Sequence, residues 1–98
     1  MYRLTKKADQ DISDILDYTL ENFGSKQVMV YYAALREKLS NLSETPLLCR
    51  ERTELTPPVR IHHHEHHLII YTLQEDNDIL IVRVLHENMD IHSHISTK

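Results

Sequence analysis

The sequence predicts an α+β fold, in which a short N-terminal strand precedes an antiparallel helical hairpin packed on one face of a small antiparallel sheet. Two observations carry this prediction. Apolar residues recur every three or four positions in the first half of the chain, whereas the second half carries short β-branched runs separated by turn residues. Since 98 residues suffice for one modest core, we expect a single domain over residues 1–98.

The N-terminal part predicts a strand at Tyr2–Leu4 and a first helix whose N-terminus is capped by Thr5. The buried stripe of this helix is predicted to comprise Ala8, Ile12, Ile15, Leu16, Thr19 and Phe23. Gly24, the only glycine, follows the stripe and suits the positive φ that often ends a helix.

A second helix is predicted to start at Ser25, whose hydroxyl can cap it. Its buried stripe is predicted to be Val28, Tyr32, Leu35, Leu39 and Leu42. Because the connection is so short, the two helices must run antiparallel. Pro46 closes this unit, and residues 44–58 are predicted as an ordered crossing loop.

Three strands are predicted at residues 59–63, 67–73 and 79–85, with turn residues at 75–78. Simple alternation along the last strand predicts one face with Ile79, Ile81, Arg83 and Leu85, and another with Leu80, Val82, Val84 and His86. The second set suits the helix-covered face. The first would then form an exposed apolar face, which usually marks a partner site.

Arg83 admits two interpretations on this exposed face. As a binding residue, it would weaken partner binding when replaced by alanine and leave the fold intact. As a structural residue, it would pair with Glu54 or Asp90 and close the rim of the sheet.

The composition of the chain limits the classes of function that it can have. A domain that holds a phosphate backbone usually carries a basic face, so the formal charge of −4 argues against sequence-specific nucleic-acid binding. The single cysteine, Cys49, cannot form an internal disulfide. With a polar N-terminus and no apolar run long enough to span a membrane, the sequence predicts a cytoplasmic protein without a membrane segment.

The histidine-rich segment invites a metal hypothesis, because five of the eight histidines lie between positions 62 and 67. His62 and His64 would share a strand face, and His92 and His94 could add ligands. No cluster of carboxylates or thiolates lies at a supporting spacing, and a hairpin tip is exposed to solvent. We therefore expect no functional metal and no cofactor.

Residues 83–90 resemble the closing motif of the ParE toxins, in the RelE/ParE superfamily of bacterial toxin–antitoxin modules. The resemblance covers residues 2–90. It also rests on Tyr2, Arg3, Leu4, Thr5, Ala8, Asp11, Ile12, Asp17, Tyr18, Thr19, Phe23, Gly24, Pro46, Arg50, Arg52, Glu54, Leu55, Arg60, His67, Leu68, Ile69, Ile70 and Tyr71. Their order and spacing together imply the RelE-like fold, which agrees with the fold predicted from periodicity.

The resemblance implies a toxin that inhibits DNA gyrase by binding it and is neutralised by a cognate ParD-like antitoxin. We expect the antitoxin to lay an acidic and apolar segment across the open sheet face. The target-binding and antitoxin-binding residues are predicted to be Arg60, His67, Tyr71, Ile79, Ile81, Arg83, Leu85, His86, Met89 and Asp90.

Two alternatives remain open at the level of the sequence. The related RelE branch cleaves messenger RNA on the ribosome, and acid–base residues for such a reaction could be Arg60, His67, Arg83, His86 and His92. Residues 53–98 contain one lysine, Lys98, and two arginines, which is few for gripping a ribosome-bound message. We therefore predict no catalysis. The second alternative is a non-toxic family member that only binds its antitoxin.

Overall fold

The computed structural model describes residues 1–95, apart from the side chains of His92 and Ile95. In chain order the elements are β1 (Tyr2–Leu4), α1 (Lys6–Phe23), α2 (Ser25–Glu44), β2 (Glu51–Arg52), β3 (Val59–His64), β4 (His67–Leu73), β5 (Ile79–His86) and α3 (Ile91–Ile95). The predicted α+β class and helical hairpin are confirmed. Neither β2 nor α3 was predicted, because two and five residues are too few to show a period. No helix in the described range could span a membrane.

The sheet has five strands in the order β1-β5-β4-β3-β2. The pairs among β2 to β5 are antiparallel, as their short connections require. β1 pairs with β5 in parallel, from Tyr2 opposite Ile79 to Leu4 opposite Ile81. The sheet is therefore mixed, and β1 stops short, so the last residues of β5 have no strand beside them on that edge.

The helix boundaries follow local chemistry. The Thr5 hydroxyl accepts the Ala8 N–H at 3.0 Å and donates to the Val82 carbonyl at 2.7 Å, which ties the start of α1 to β5. Gly24 is the single connecting residue and has a φ of 90°. The prediction that Ser25 caps α2 is wrong, because Gly24 holds the cap position and Ser25 is already helical.

Two aromatic positions in the predicted stripes differ from the structure. Phe23 is 66% exposed, and Thr19 is the last buried residue of α1. Tyr31, rather than Tyr32, packs against the core. The other stripe residues are buried or half-buried. The main core consists of Ala8, Ile12, Leu35, Leu39, Leu42, Ile69, Tyr71, Ile79, Ile81 and Val84.

The predicted face assignment along β5 is wrong for its first half. Ile79 and Ile81 are fully buried beneath the helices, not exposed. The cause is a bulge. Ile70 lies opposite Arg83 and Tyr71 opposite Ile81, so no residue of β4 lies opposite Val82. In simple alternation Val82 and Val84 would share a face, but the extra residue places them on opposite faces. Ile81 therefore lies on the same face as Val84.

The second sheet face is covered rather than open. It carries a small cluster of Leu55, Val59, Ile70 and Leu85, each at most 3% exposed. Leu55 folds over from the crossing loop, and Ile91 of α3 packs against the same cluster. The predicted exposed apolar face is therefore wrong, and an apolar surface for a partner has to be sought elsewhere.

Candidate partner-binding groove

A groove of about 720 Å³ opens where the helical hairpin extends past the end of β1. We call it the tip groove. One wall is the second half of α1, the floor includes the first turns of α2, and the other wall is formed by the β3–β4 turn and the end of β5. It therefore borders the part of the β5 edge that β1 leaves without a partner strand.

The α1 wall is apolar and aromatic. Ile15, Tyr18 and Phe23 all line the groove. The Tyr18 ring meets the Phe23 ring edge to face, with 6.5 Å between centroids, yet the two residues are 61% and 66% exposed. Two adjacent large rings left this exposed leave much apolar surface in water, which favours a partner that covers them.

A row of aromatic side chains lies across the floor. The Tyr31 hydroxyl and the His67 Nδ1 are joined by a hydrogen bond of 3.1 Å, and the His67 ring meets the His86 ring edge to face at 5.7 Å. Burial, and secondarily the Glu65 charge, raises the pKa of Tyr31 to about 12. Burial, followed by the neighbouring histidines, lowers the pKa of His67. Burial therefore favours the neutral form of both Tyr31 and His67.

The fold sorts the histidines of the β3–β4 hairpin into two sets. His62 and His64 lie with His67 on the helix side of the sheet, where burial lowers the pKa of both. His63 and His66 are exposed and both contact Glu87, at 2.8 Å and 3.1 Å. These two contacts, that of His66 first, lower the pKa of Glu87.

This arrangement of histidines does not assemble a set of metal ligands among the described residues. Within residues 1–95, no group of three or more histidine, cysteine or acidic side chains could hold an ion. Cys49 lies 3.6 Å from the Nδ1 of His62. The side chain of His92, one of the predicted ligands, falls outside the described residues.

Arg83 links α1, β5 and α3 behind the groove. Its guanidinium donates two bonds to the Asp11 carboxylate, at 2.7 Å and 2.9 Å, and a third to the His94 carbonyl at 3.1 Å. Asp11 also accepts the N–H of Val84, an edge amide of β5 that β1 does not reach. Arg83 thus forms its ion pair with Asp11, a partner that the structural interpretation does not name.

The structure brings four predicted site residues into the tip groove: His67, Leu85, His86 and Met89. Three others, Tyr71, Ile79 and Ile81, are fully buried in the core and present no surface. Arg60 lies toward the other end of β3, where it donates to the Cys49 carbonyl at 2.6 Å. Asp90 accepts from the Ser93 hydroxyl at 2.9 Å at the start of α3.

Five residues were proposed for RNA cleavage, and the four whose side chains the structure describes do not converge. His67 and His86 are neighbours, but Arg83 is held by Asp11. Arg60 lies opposite Tyr71, four residues along β4 from His67, which corresponds to about 13 Å. An acid–base pair without a cation beside it lacks the group that would stabilise a phosphorane.

Sequence reasoning missed Tyr18, Phe23 and Tyr31 as groove residues. The stripe analysis assigned Phe23 to the core and gave Tyr31 no role, because periodicity cannot tell where a helix stops packing against the core. Element lengths give no signal either, since α1 with 18 residues and β5 with eight are both about 27 Å long. The side chains of α1 after Thr19 are exposed.

Similarity relates this chain to known proteins along its whole length. A family model described as ParE toxin of type II toxin-antitoxin system, parDE, matches residues 2–91. Toxin ParE of Escherichia coli is 30% identical over 97 residues, which are 99% of this chain and 94% of that protein. Toxin ParE1 of Mycobacterium tuberculosis is 28% identical over 90 residues, 92% of each chain.

The fold also matches a solved structure, a chain of the "Chromosomal ParDE TA system from P. aeruginosa". The TM-score is 0.72 over 87% of this chain and 92% of that chain, at 18% sequence identity. At this identity the match establishes the fold alone.

Proposed function

We propose that this chain, which belongs to the ParE toxin family of type II toxin–antitoxin systems, inhibits DNA gyrase by binding it and is neutralised by a ParD-like antitoxin seated in the tip groove. The observation that carries the antitoxin part is the apolar groove with its two exposed rings, Tyr18 and Phe23. A solved relative in fold belongs to a ParDE system, which supports a partner of this class. Both proposed partners are cytoplasmic, and the proposal places the chain with them.

Binding rather than catalysis is supported by the geometry of the titratable groups. Arg60 and Arg83 are each engaged by backbone or carboxylate oxygens away from the His67–His86 pair. In the described part of the chain, no lysine or arginine lines the groove that holds this pair. A polyanionic substrate would therefore meet carboxylates rather than cations there.

A matched pair of variants tests the groove. Phe23→Asp places a charge on the exposed ring of the groove wall, and Met29→Asp places one on an equally exposed position of α2 that does not line it. The probe is the product of the adjacent open reading frame, which we expect to be a small ribbon-helix-helix protein. We expect Phe23→Asp to weaken binding about 30-fold or more, as loss of an aromatic anchor does, and Met29→Asp to change it less than about twofold.

A paired activity assay tests the target. The purified chain is added to DNA gyrase in a supercoiling assay and to translating ribosomes in a message-cleavage assay. We expect dose-dependent loss of supercoiling, relieved by the antitoxin, and an intact message. Cleaved message with normal supercoiling would contradict the gyrase proposal. No effect in either assay would contradict the proposal that the chain is a toxin. Antitoxin binding would then still be tested by the Phe23→Asp and Met29→Asp variants.

A further inference from the structure

The titratable side chains that line the tip groove have an uneven balance of charge. Besides two tyrosines, they are three histidines and three carboxylates, the latter from Asp11, Asp14 and Glu65. Among the residues that the structure describes, no lysine or arginine lines the groove. Any excess of fixed charge on its walls is therefore negative.

One of the three carboxylates is already neutralised. Asp11 receives both bonds of the Arg83 guanidinium and the N–H of Val84, and only 13% of its side chain is exposed. Its hydrogen-bonding capacity is largely used within the fold. A partner would gain little from Asp11.

The other two carboxylates have no such compensation. Asp14 accepts a bond of 2.8 Å from the neutral amide of Gln10, and Glu65 stands exposed in the β3–β4 turn with a φ of 56°. Within residues 1–95, neither makes an ion pair. They belong to the α1 wall and the turn wall respectively, so an occupant of the groove would pass near both.

Neither His67 nor His66 is well placed to offset this charge. His67 is half-buried and hydrogen-bonded to Tyr31, in surroundings that favour its neutral form. His66 is already in contact with Glu87, a further carboxylate beside the groove. An apolar segment that covered Asp14 and Glu65 without a cation would leave both desolvated and unpaired, at a considerable cost in free energy.

We infer that the segment occupying the tip groove is apolar with basic side chains that pair with Asp14 and Glu65, and this inference rests on the proposed function. It reverses the expectation from the sequence, which was an acidic and apolar segment. The formal charge of −4 on the chain has the same sign and steers a basic segment toward the groove at low ionic strength.

Charge reversal tests the inference, with one control for each carboxylate. Asp14→Lys is compared with Asp17→Lys on the same helix, and Glu65→Lys with Glu75→Lys in the β4–β5 turn; neither control position lines the groove. The probe is again the neighbouring ribbon-helix-helix protein, titrated in about 0.05 M salt. We expect each groove variant to weaken binding about tenfold and each control less than about twofold.

Salt provides a second readout on the same proteins. The association rate of the unchanged chain should fall as salt rises from about 0.05 M to 0.5 M, because screening removes the attraction. The double variant Asp14→Lys/Glu65→Lys should lose this fall. The toxin-binding segment of the probe should also contain lysine or arginine flanking its apolar residues.

The outcomes separate this inference from the proposed function. If Phe23→Asp abolishes binding while both groove reversals behave like their controls, the partner occupies the groove without basic contacts and the inference is overturned alone. If Phe23→Asp and the reversals all leave binding unchanged, the groove is not the antitoxin site and both proposals fail. Tighter binding by the reversal variants would mean an acidic occupant and would also overturn the inference.

Discussion

At the scale of single residues, Arg83 shows how one side chain can join three elements. The guanidinium is 15% exposed and its partner carboxylate 13% exposed, so the pair is largely removed from water. Its hydrogen bond to Asp11 raises the pKa of Arg83 above its ordinary value, and the arginine stays charged at any pH at which the chain is folded. Removing either partner would leave the other charge unpaired in a poorly solvated site.

We therefore expect Arg83→Met to lower the free energy of unfolding by about 2–4 kcal/mol. Arg3→Met is the control, because Arg3 pairs with Asp76 at the surface and should contribute about 0.5 kcal/mol or less. Urea unfolding followed by circular dichroism measures both. An Arg83→Met protein as stable as the unchanged chain would show that the arginine serves a partner and not the fold.

At the scale of elements, the histidines beneath α2 couple stability to pH. Burial lowers the pKa of His62, His64 and His67. The folded chain therefore binds protons at these rings less readily than the unfolded chain, in which the pKa of histidine is about 6.5. Above that pH the three rings are neutral in both the folded and the unfolded chain, so their burial does not oppose folding through a change of protonation. As the pH falls below it, protonation favours the unfolded state, and stability decreases.

We expect the urea midpoint to fall between about pH 7.5 and about pH 5.5. His64→Phe should reduce this fall, because it removes one ring that must stay neutral; its Nε2 is buried without a hydrogen-bond partner among the described residues. His63→Gln, at an exposed position of the same strand, should keep most of the fall. A midpoint that rises on acidification would contradict the assignment of these rings as neutral.

The elements also show which parts of the fold can be read from sequence. The helices and the three long strands were predictable, because their periodicities are local. The bulge in β5 was not, because it interrupts the period of two without a local signal, and Asp11, which accepts the Val84 N–H beside it, is about 70 residues away in sequence. The phase of Ile79 and Ile81 was wrong for this reason, while Val84, Leu85 and His86, beyond the bulge, have the predicted phase.

The candidate site was only partly predictable for a related reason. His67, His86, Leu85 and Met89 follow from the resemblance to the ParE family, and they do line the groove. Its aromatic wall depends on how far the hairpin extends past β1, which is a tertiary relation and leaves no period in the sequence. Arg60 was assigned to the same site, although the register of β3 places it toward the other end of the sheet.

At the scale of the whole molecule, the two sheet faces form the core, and the hairpin tip carries the proposed binding site. The helices cover one face, while Leu55 and Ile91 cover the other. The tip groove, where we propose that the partner binds, combines exposed aromatic rings with carboxylates and histidines. The proposed partner site therefore lies beside a covered core, at the end of β5 that extends beyond β1.

The central claim is that the antitoxin occupies the tip groove, and hydrogen–deuterium exchange of the chain with and without the neighbouring ribbon-helix-helix protein tests it most directly. Binding should slow exchange in residues 15–23 of α1 and residues 84–86 of β5, where edge amides border the groove. The C-terminal half of α2 should exchange as before. Protection confined to β2 and the first residues of β3, with residues 15–23 unchanged, would contradict the claim.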